Sequence, residues 1–231
     1  MRIDLNADLG EAAGFDLDLM PLITSANVCC GLHAGGPVEV ANTLVLARRH
    51  GVAIGAHPGY ADREQFGRRE QDLPSGDIAA LCLYQLGAVI ATAAAIGLRV
   101  NYVKPHGALY NQACRDRRIA EMIVLASLRF RLPVVGLPHS ELEAACKDRI
   151  QFIREGFADR RYREDGTLVP RNEPDAFVHD PREAVLQVEK LIASQGIRTV
   201  CVHGDNPDAV AFTRTIRETL LEQGFTLQPF T

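Results

Sequence analysis

The chain has no excess of basic residues. Lys and Arg number 25 against 29 Asp and Glu, for a net charge of −4 and a pI near 6.0. Nucleic-acid binding needs a basic footprint, and the local pair Arg68-Arg69 is too small to supply one. No run approaches the roughly 20 uninterrupted apolar residues that span a bilayer, so no membrane partner is expected. None of the six cysteines forms a Cys-x-x-Cys pair. Several lie in apolar runs and read as small core hydrophobes in a reducing cytoplasm. The adjacent Cys29-Cys30 is the one alternative, as a redox or metal pair. A Gly-x-x-x-x-Gly-Lys-Ser/Thr phosphate loop is missing. So is any Pro/Ser-rich linker or low-complexity tract. Met1-Arg2-Ile3-Asp4 leads straight into strand-like sequence, so no signal peptide is expected. At 231 residues and 47% hydrophobic, the chain suits a single domain over 1–231, burying roughly 70–75% of its unfolded surface.

What is present is organised around Val103-Lys-Pro-His-Gly-Ala-Leu-Tyr-Asn111. The apolar run Leu98 to Val103 reads as a strand. Pro105 pushes Lys104 into an extended conformation, so its ammonium is aimed beyond the sheet end. Gly107 lets the backbone turn there. The same grammar of a strand followed by a polar cluster recurs. Ile3–Leu9 alternates apolar and polar residues and ends at Asp8 and Glu11. Ser25–Cys30 is followed by His33, then by Pro37 as the first residue of a helix that Gly51 ends. Val52–Ala56 ends at His57, and a polar loop carries Phe66-Gly67-Arg68-Arg69. A long helix from Ser75 to Gly97 follows, then a helix over Asp116–Phe130. Pro133–Leu137 is a fifth strand, and Ser140 caps a short helix to Lys147. Ile150–Ile153 is a sixth strand, ending in Glu155, Asp159 and Arg160. Asp165-Gly166 marks a turn in a loop over 164–179, where Asp165 and Arg171 read as loop pins. Asp180-Pro181-Arg182-Glu183 starts a helix. Thr199–Val202, tipped by His203 and Asp205, is the seventh strand, and Asn206-Pro207 opens the last helix.

Seven strand–helix alternations predict an α/β fold with a parallel sheet wrapped by helices. The polar clusters select a closed (β/α) barrel with seven strands. In a barrel the strand C-termini converge on one mouth; an open sheet would spread them over roughly 30 Å.

Several motifs, in order along nearly the whole chain, resemble the LamB/YcsF family. They are Asp4-Leu-Asn-x-Asp-x-Gly-Glu11, Asn27-Val-x-Cys-Gly-x-His-Ala-Gly35, Gly55-Ala-His-Pro58, Phe66-Gly-Arg-Arg69 and the Lys104 stretch. Glu155-x-Phe-Ala-Asp-Arg-x-Tyr162, Asp165-Gly-x-Leu-Val-x-Arg171 and His203-Gly-Asp205 complete the set. The resemblance implies a seven-stranded distorted TIM barrel of the glycoside hydrolase/deacetylase type. It also implies the A subunit of a bacterial ATP-dependent 5-oxoprolinase, which with subunits B and C hydrolyses 5-oxo-L-proline to L-glutamate. ATP with Mg²⁺ is the cofactor so implied. One position departs: Gly36 stands where the family usually has Asp after His-Ala-Gly.

Opening a lactam requires an activated carbonyl, a nucleophilic water and a protonated leaving nitrogen. Phosphorylating the lactam oxygen would suppress the amide resonance that gives a peptide bond its barrier of about 18–20 kcal/mol. On this chemistry Asp8 or Glu11 is a general base, and Lys104 holds a phosphate or developing oxyanion. His57 and His106 are acid/base candidates. Arg68, Arg69 and Arg160 are candidate clamps for carboxylate or phosphate. Asn6, Asn27, His33, Glu155, Asp159, His203 and Asp205 complete the expected substrate- or phosphate-binding set. An alternative reading is a stand-alone metal-dependent amidase or deacetylase with Asp8, His33 and His57 as ligands of a divalent ion. A third is a barrel that only scaffolds its partners. Self-association as a homo-oligomer is a further expectation.

Overall fold

The computed structural model describes residues 1–203 and 208–230. Strand β1 (Arg2–Leu9) shows why the sheet closes. Ile3, Leu5, Ala7 and Leu9 alternate with Asp4, Asn6 and Asp8, and nearly all are buried. Successive strand residues point to opposite faces. The apolar set packs outward against helices, and the polar set points into a shared interior. After β1 come β2 (Ser25–Cys29), β3 (Ala53–His57), β4 (Val100–Val103), β5 (Val134–Gly136), β6 (Phe152–Phe157) and β7 (Thr199–Val202). Each pairs in parallel with the next, and β7 pairs back onto β1, closing a ring of seven. The two residues of β8 (Thr226–Leu227) pair with Arg2 and Ile3 outside that ring.

The shell comprises α1 (Asp16–Leu19), α2 (Pro37–His50), α3 (Ser75–Ala95), α4 (Gly107–Arg115), α5 (Arg117–Phe130), α6 (Glu141–Cys146), α7 (Pro181–Gln195) and α8 (Ala209–Glu222). The expected end signals hold. Gly51 closes α2 at φ 66°, donating to the carbonyls of Ala47 and Arg48. Asp116, Ser140 and Asp180 accept backbone N–H groups at the starts of α5, α6 and α7.

The structure differs from expectation at strand β6 and at helix α4. Strand β6 runs to Phe157 rather than stopping at Ile153, which puts Glu155 inside the barrel instead of at its tip. Helix α4 was not foreseen: its N-cap is His106, which makes no side-chain capping bond, so no start signature precedes it. The expected start of the last helix at Asn206-Pro207 lies outside the described residues, and α8 is described from Ala209. An 18-residue stretch within helix α3 has a mean hydropathy of 1.9, long and apolar enough by composition to cross a membrane. Here it is a shell helix, with Ile78, Cys82, Leu86, Val89 and Ala93 buried.

Candidate active site

The barrel interior is a polar ladder. At its base Asp4 accepts hydrogen bonds from Thr24 and Ser25 at 2.7 and 2.6 Å, and one from Thr199. One level up, the Asn6 amide donates to Thr199 (2.6 Å) and Glu155 (3.0 Å), while its carbonyl oxygen accepts from Asn27 (2.6 Å). Tyr102 donates to the Asn27 carbonyl oxygen at 2.7 Å. Gly55 is required beneath it, because a Cβ there would stand 2.1 Å from the Tyr102 ring.

Lys104 caps this ladder. It is 2% exposed, and its ammonium lies 3.0 Å from both Asp8 and Glu155, 3.2 Å from Asn6 and 3.0 Å from the Cys201 sulfur. Burial opposes its charge, but Asp8, Cys201 and Glu155 outweigh that and hold the amine well above its ordinary value. Burial likewise pushes Asp8 up, yet His57 and Lys104 keep its carboxyl well below the usual range. Glu155 goes the other way: burial raises it despite Lys104. Burial raises the Cys201 thiol as well.

Beside Asp8 stands a wall of imidazoles. His57 Nδ1 lies 2.7 Å from the Lys104 carbonyl, and His106 Nε2 lies 2.9 Å from the Phe66 carbonyl. A carbonyl only accepts, so both nitrogens carry hydrogen. The remaining nitrogens, His57 Nε2 and His106 Nδ1, lie 2.9 Å apart, a contact that needs a proton or a cation between them. Glu11 Oε1 is 3.1 Å from His106 Nδ1, 3.1 Å from His33 Nε2 and 3.8 Å from His57 Nε2. Burial lowers the His106 pKa, so its imidazolium is disfavoured. These three ring nitrogens and the Glu11 oxygen each offer a metal-ligand atom, and all four lie within 4.8 Å of one another. Their spacing brackets the roughly 3.3–3.4 Å between ligands of a tetrahedral zinc ion with bonds of about 2.0–2.1 Å. Glu11, His33, His57 and His106 thus fit a metal. Among the described residues a second metal-competent group is Asp8, Cys201 and His203. The expected trio is regrouped: His33 and His57 share their cluster with Glu11 and His106, while Asp8 sits at its edge, 3.3 Å from His57.

Opposite that wall, Asp159 accepts from His203 Nδ1 at 2.7 Å and from its backbone N–H at 3.2 Å. His203 also stacks on Phe157. A cavity of about 40 Å³ separates the two sides, lined by Asp8, His57, Arg68, Lys104, His106, Arg160, Arg171 and His203. Two excursions roof it. The Phe66-Gly67 turn is stitched to the start of α4, where Ala108 N–H donates to the Gly67 carbonyl. The strap over residues 158–179 is pinned by Arg160, which donates to the carbonyls of Val169 and Ala176.

Most expected residues therefore meet at one mouth. Asn6, Asn27 and Glu155 lie below it as supports. Arg69 does not line the cavity; its side chain is 64% exposed and pairs with Asp62. Asp205 lies outside the described residues. At Gly36, where a carboxylate was missed, Glu39 Oε2 fills the space a Cβ would enter, 2.9 Å away. Sequence reasoning missed Asp4, Tyr110, Phe157 and Cys201, and assigned Arg171 to pinning a loop. Period-two alternation from Thr199 through Cys201 to His203 was a usable signal for Cys201. For Arg171, a loop residue, spacing offers none.

The whole fold overlays a lactam utilization protein from Thermus thermophilus with a TM-score of 0.92, at 40% identity and 100% coverage of both chains. A putative cellobiose-phosphate cleavage protein from Enterococcus faecalis gives 0.63 at 11% identity, covering 98% of this chain and 96% of that one. The catalytic domain of a peptidoglycan N-acetylglucosamine deacetylase from Eubacterium rectale gives 0.55 at 13% identity, covering 99% and 88%. The last two show a shared barrel fold. The LamB/YcsF family model matches residues 3–231, and the chain belongs to that family.

Proposed function

We propose that this chain is the A subunit of an ATP-dependent 5-oxoprolinase, opening the lactam of 5-oxo-L-proline at its barrel mouth in a complex with subunits B and C. The observation that carries the hydrolytic reading is the meeting of ionised Asp8, buried Lys104 and two tautomer-fixed imidazoles at one cavity. The substrate class is supported by full-length similarity to a lactam utilization protein. Six free cysteines fit a reducing compartment.

In this reading Asp8 takes a proton from the attacking water, whose oxygen bonds to the lactam carbon. Lys104 offsets charge developing on the carbonyl oxygen. His203, its Nδ1–H held by Asp159, takes that proton from Asp8 on its other ring nitrogen and passes it to the departing nitrogen as the C–N bond breaks. A divalent ion held by Glu11, His33, His57 and His106 would add Lewis acidity and lower the pKa of a bound water. In this reading ATP, Mg²⁺ and phosphorylation of the lactam oxygen belong to the assembled complex.

The test is turnover of 5-oxoproline plus ATP by the chain alone, then with B and C. Activity is expected only in the complex, and Lys104→Ala should lower it roughly 100- to 1,000-fold. Full activity of Lys104→Ala would remove the Lys104 role. Unchanged activity after replacing Asp8, His57 and Lys104 together would reduce the barrel to a scaffold. The imidazole–carboxylate cluster favours one second reading, a metal-dependent amidase or deacetylase, which predicts turnover of N-acetyl sugars by the chain alone.

A further inference from the structure

The ligand-competent side chains of the imidazole wall are not all held alike. His57 and His106 each donate a ring N–H to a backbone carbonyl, at 2.7 and 2.9 Å. Glu11 lies past the end of β1, in the excursion that joins it to α1. Gly10, Ala12 and Gly14 in that excursion are left-handed, at φ 76°, 62° and 90°. Such backbone persists only where its surroundings over-determine it, and the four residues of α1 are too short a helix to do so alone. Asp16 supplies the fixing contact. Its Oδ2 accepts the Gly10 N–H at 2.9 Å and the Thr43 hydroxyl of α2 at 2.7 Å. This carboxylate does not cap its own helix, whose N-cap is Phe15 with no side-chain bond. The other side of Gly10 is closed as well, since a Cβ on Gly35 would collide with the Gly10 carbonyl. Gly35 belongs to the loop that carries His33, and Arg63 ties that loop down by donating to the carbonyls of Gly31 and Gly35. The peptide leading into Glu11 is thus held from both sides, with Glu11 Oε1 3.1 Å from His33 Nε2 and from His106 Nδ1.

We propose that Asp16, with Thr43, is a latch that positions Glu11 as the carboxylate ligand of a divalent ion at the imidazole wall. The inference goes beyond the lactam reading and needs only that Glu11, His33, His57 and His106 take an ion. Asp16 is a positioning residue. It touches no ligand atom of the cluster and acts on the backbone one residue before Glu11. Without the latch the excursion after β1 relaxes, and Glu11 leaves the three imidazoles. Neutral imidazoles alone bring no charge to offset a dication, so affinity falls. Groups that orient a metal ligand account for about ten- to a hundredfold in affinity.

The experiment is titration of the purified, chelator-stripped chain with Zn²⁺ in competition with a chromophoric chelator. Wild type is expected to take up about one ion per chain at this cluster. Asp16→Ala and Thr43→Val should each weaken that binding roughly ten- to a hundredfold. Combining them should cost little more than Asp16→Ala alone, because both act through one network. Asp16→Asn keeps an acceptor oxygen and should retain most of the affinity. Asp18→Ala, exposed and two residues further along α1, should bind zinc as wild type does. Melting temperatures of the metal-free variants identify any that misfold. If Asp16→Ala does not fold, Thr43→Val carries the test, since it removes one hydroxyl at nearly constant volume. Folded Asp16→Ala and Thr43→Val with wild-type zinc affinity, an equal loss in Asp18→Ala, or a wild-type chain that takes up no divalent ion would each overturn the latch. The readout needs neither substrate nor partner subunits. Latch-dependent zinc binding without lactam turnover in the complex would therefore keep the latch and remove the lactam reading, and turnover by a complex whose zinc affinity ignores Asp16 would do the reverse.

Discussion

Replacing Lys104 by Met isolates the electrostatics of the barrel interior. Methionine keeps an unbranched side chain of similar length, so the main loss is the ammonium between Asp8 and Glu155, each 3.0 Å away. Breaking a buried ion pair costs about 3–5 kcal/mol, because the partner charge is left without compensation. At about 2.1 cal/mol/K per residue the unfolding entropy of 231 residues is about 0.5 kcal/mol/K, so the melting temperature should fall by roughly 6–10 °C. The deficit should also depend on pH. Burial already raises Glu155, and Lys104 is the strongest influence lowering it. Without Lys104 its folded pKa rises further. A carboxyl raised on folding stabilises fully below its unfolded value, and that contribution is lost as pH rises through the folded value. The variant should therefore be nearest to wild type at about pH 5 and furthest from it at about pH 8. Adding Glu155→Gln should flatten that dependence and recover part of the loss. Urea unfolding followed by circular dichroism across this range measures both effects. A deficit under about 1 kcal/mol that does not vary with pH would refute the buried triad.

Asp4 carries a similar signature. Burial raises it to about 6, against hydroxyl donors from Ser25, Thr199 and Thr24, so its stabilising contribution is complete below about 3.8 and lost as pH rises through about 6. Asp4→Asn should gain about 2.4 kcal/mol relative to wild type between pH 4 and 7.5, read from urea midpoints; parallel curves would count against it. Gly55→Ala should destabilise by about 1–3 kcal/mol or more, since its Cβ would stand 2.1 Å from the Tyr102 ring; an unchanged melting temperature would contradict that packing. Protein purified without chelator should carry about one divalent ion per chain by elemental analysis. His106→Ala and Glu11→Gln should lower that content, and chelation should lower the melting temperature; metal-free protein with an unaltered melting curve would leave shared protons as the bridge.

The ring of strands was legible because barrel strands alternate, and because polar residues at strand ends have one meeting place in a closed ring. Asp8, His57, Lys104 and His106 were found that way. What stayed illegible depended on register and on loops. Glu155 looked like a tip residue because the apolar run Ile150–Ile153 stops short of it, whereas pairing with β7 continues to Phe157. Helix α4 lacks a capping side chain. Arg171 sits 13 residues beyond Ala158 along a strap whose path is set by two isolated backbone bridges, Arg160 with Phe177 and Tyr162 with Leu168. Local sequence carries neither bridge.

The polar interior ties the stability of the barrel to its chemistry. Asn6 touches Thr199, Glu155, Asn27 and Lys104, so the groups that close β1 onto β2 and β7 are also those that fix the ammonium under the cavity. A barrel filled with aliphatic side chains would hold its strands without Lys104, and its mouth would lack an oriented cation. Here the ammonium has four partners below and beside it, which fixes its position before any ligand arrives. Conservative changes at Asn6 or Asn27 should therefore act on the mouth through Lys104 and Asp8, although neither asparagine lines the cavity.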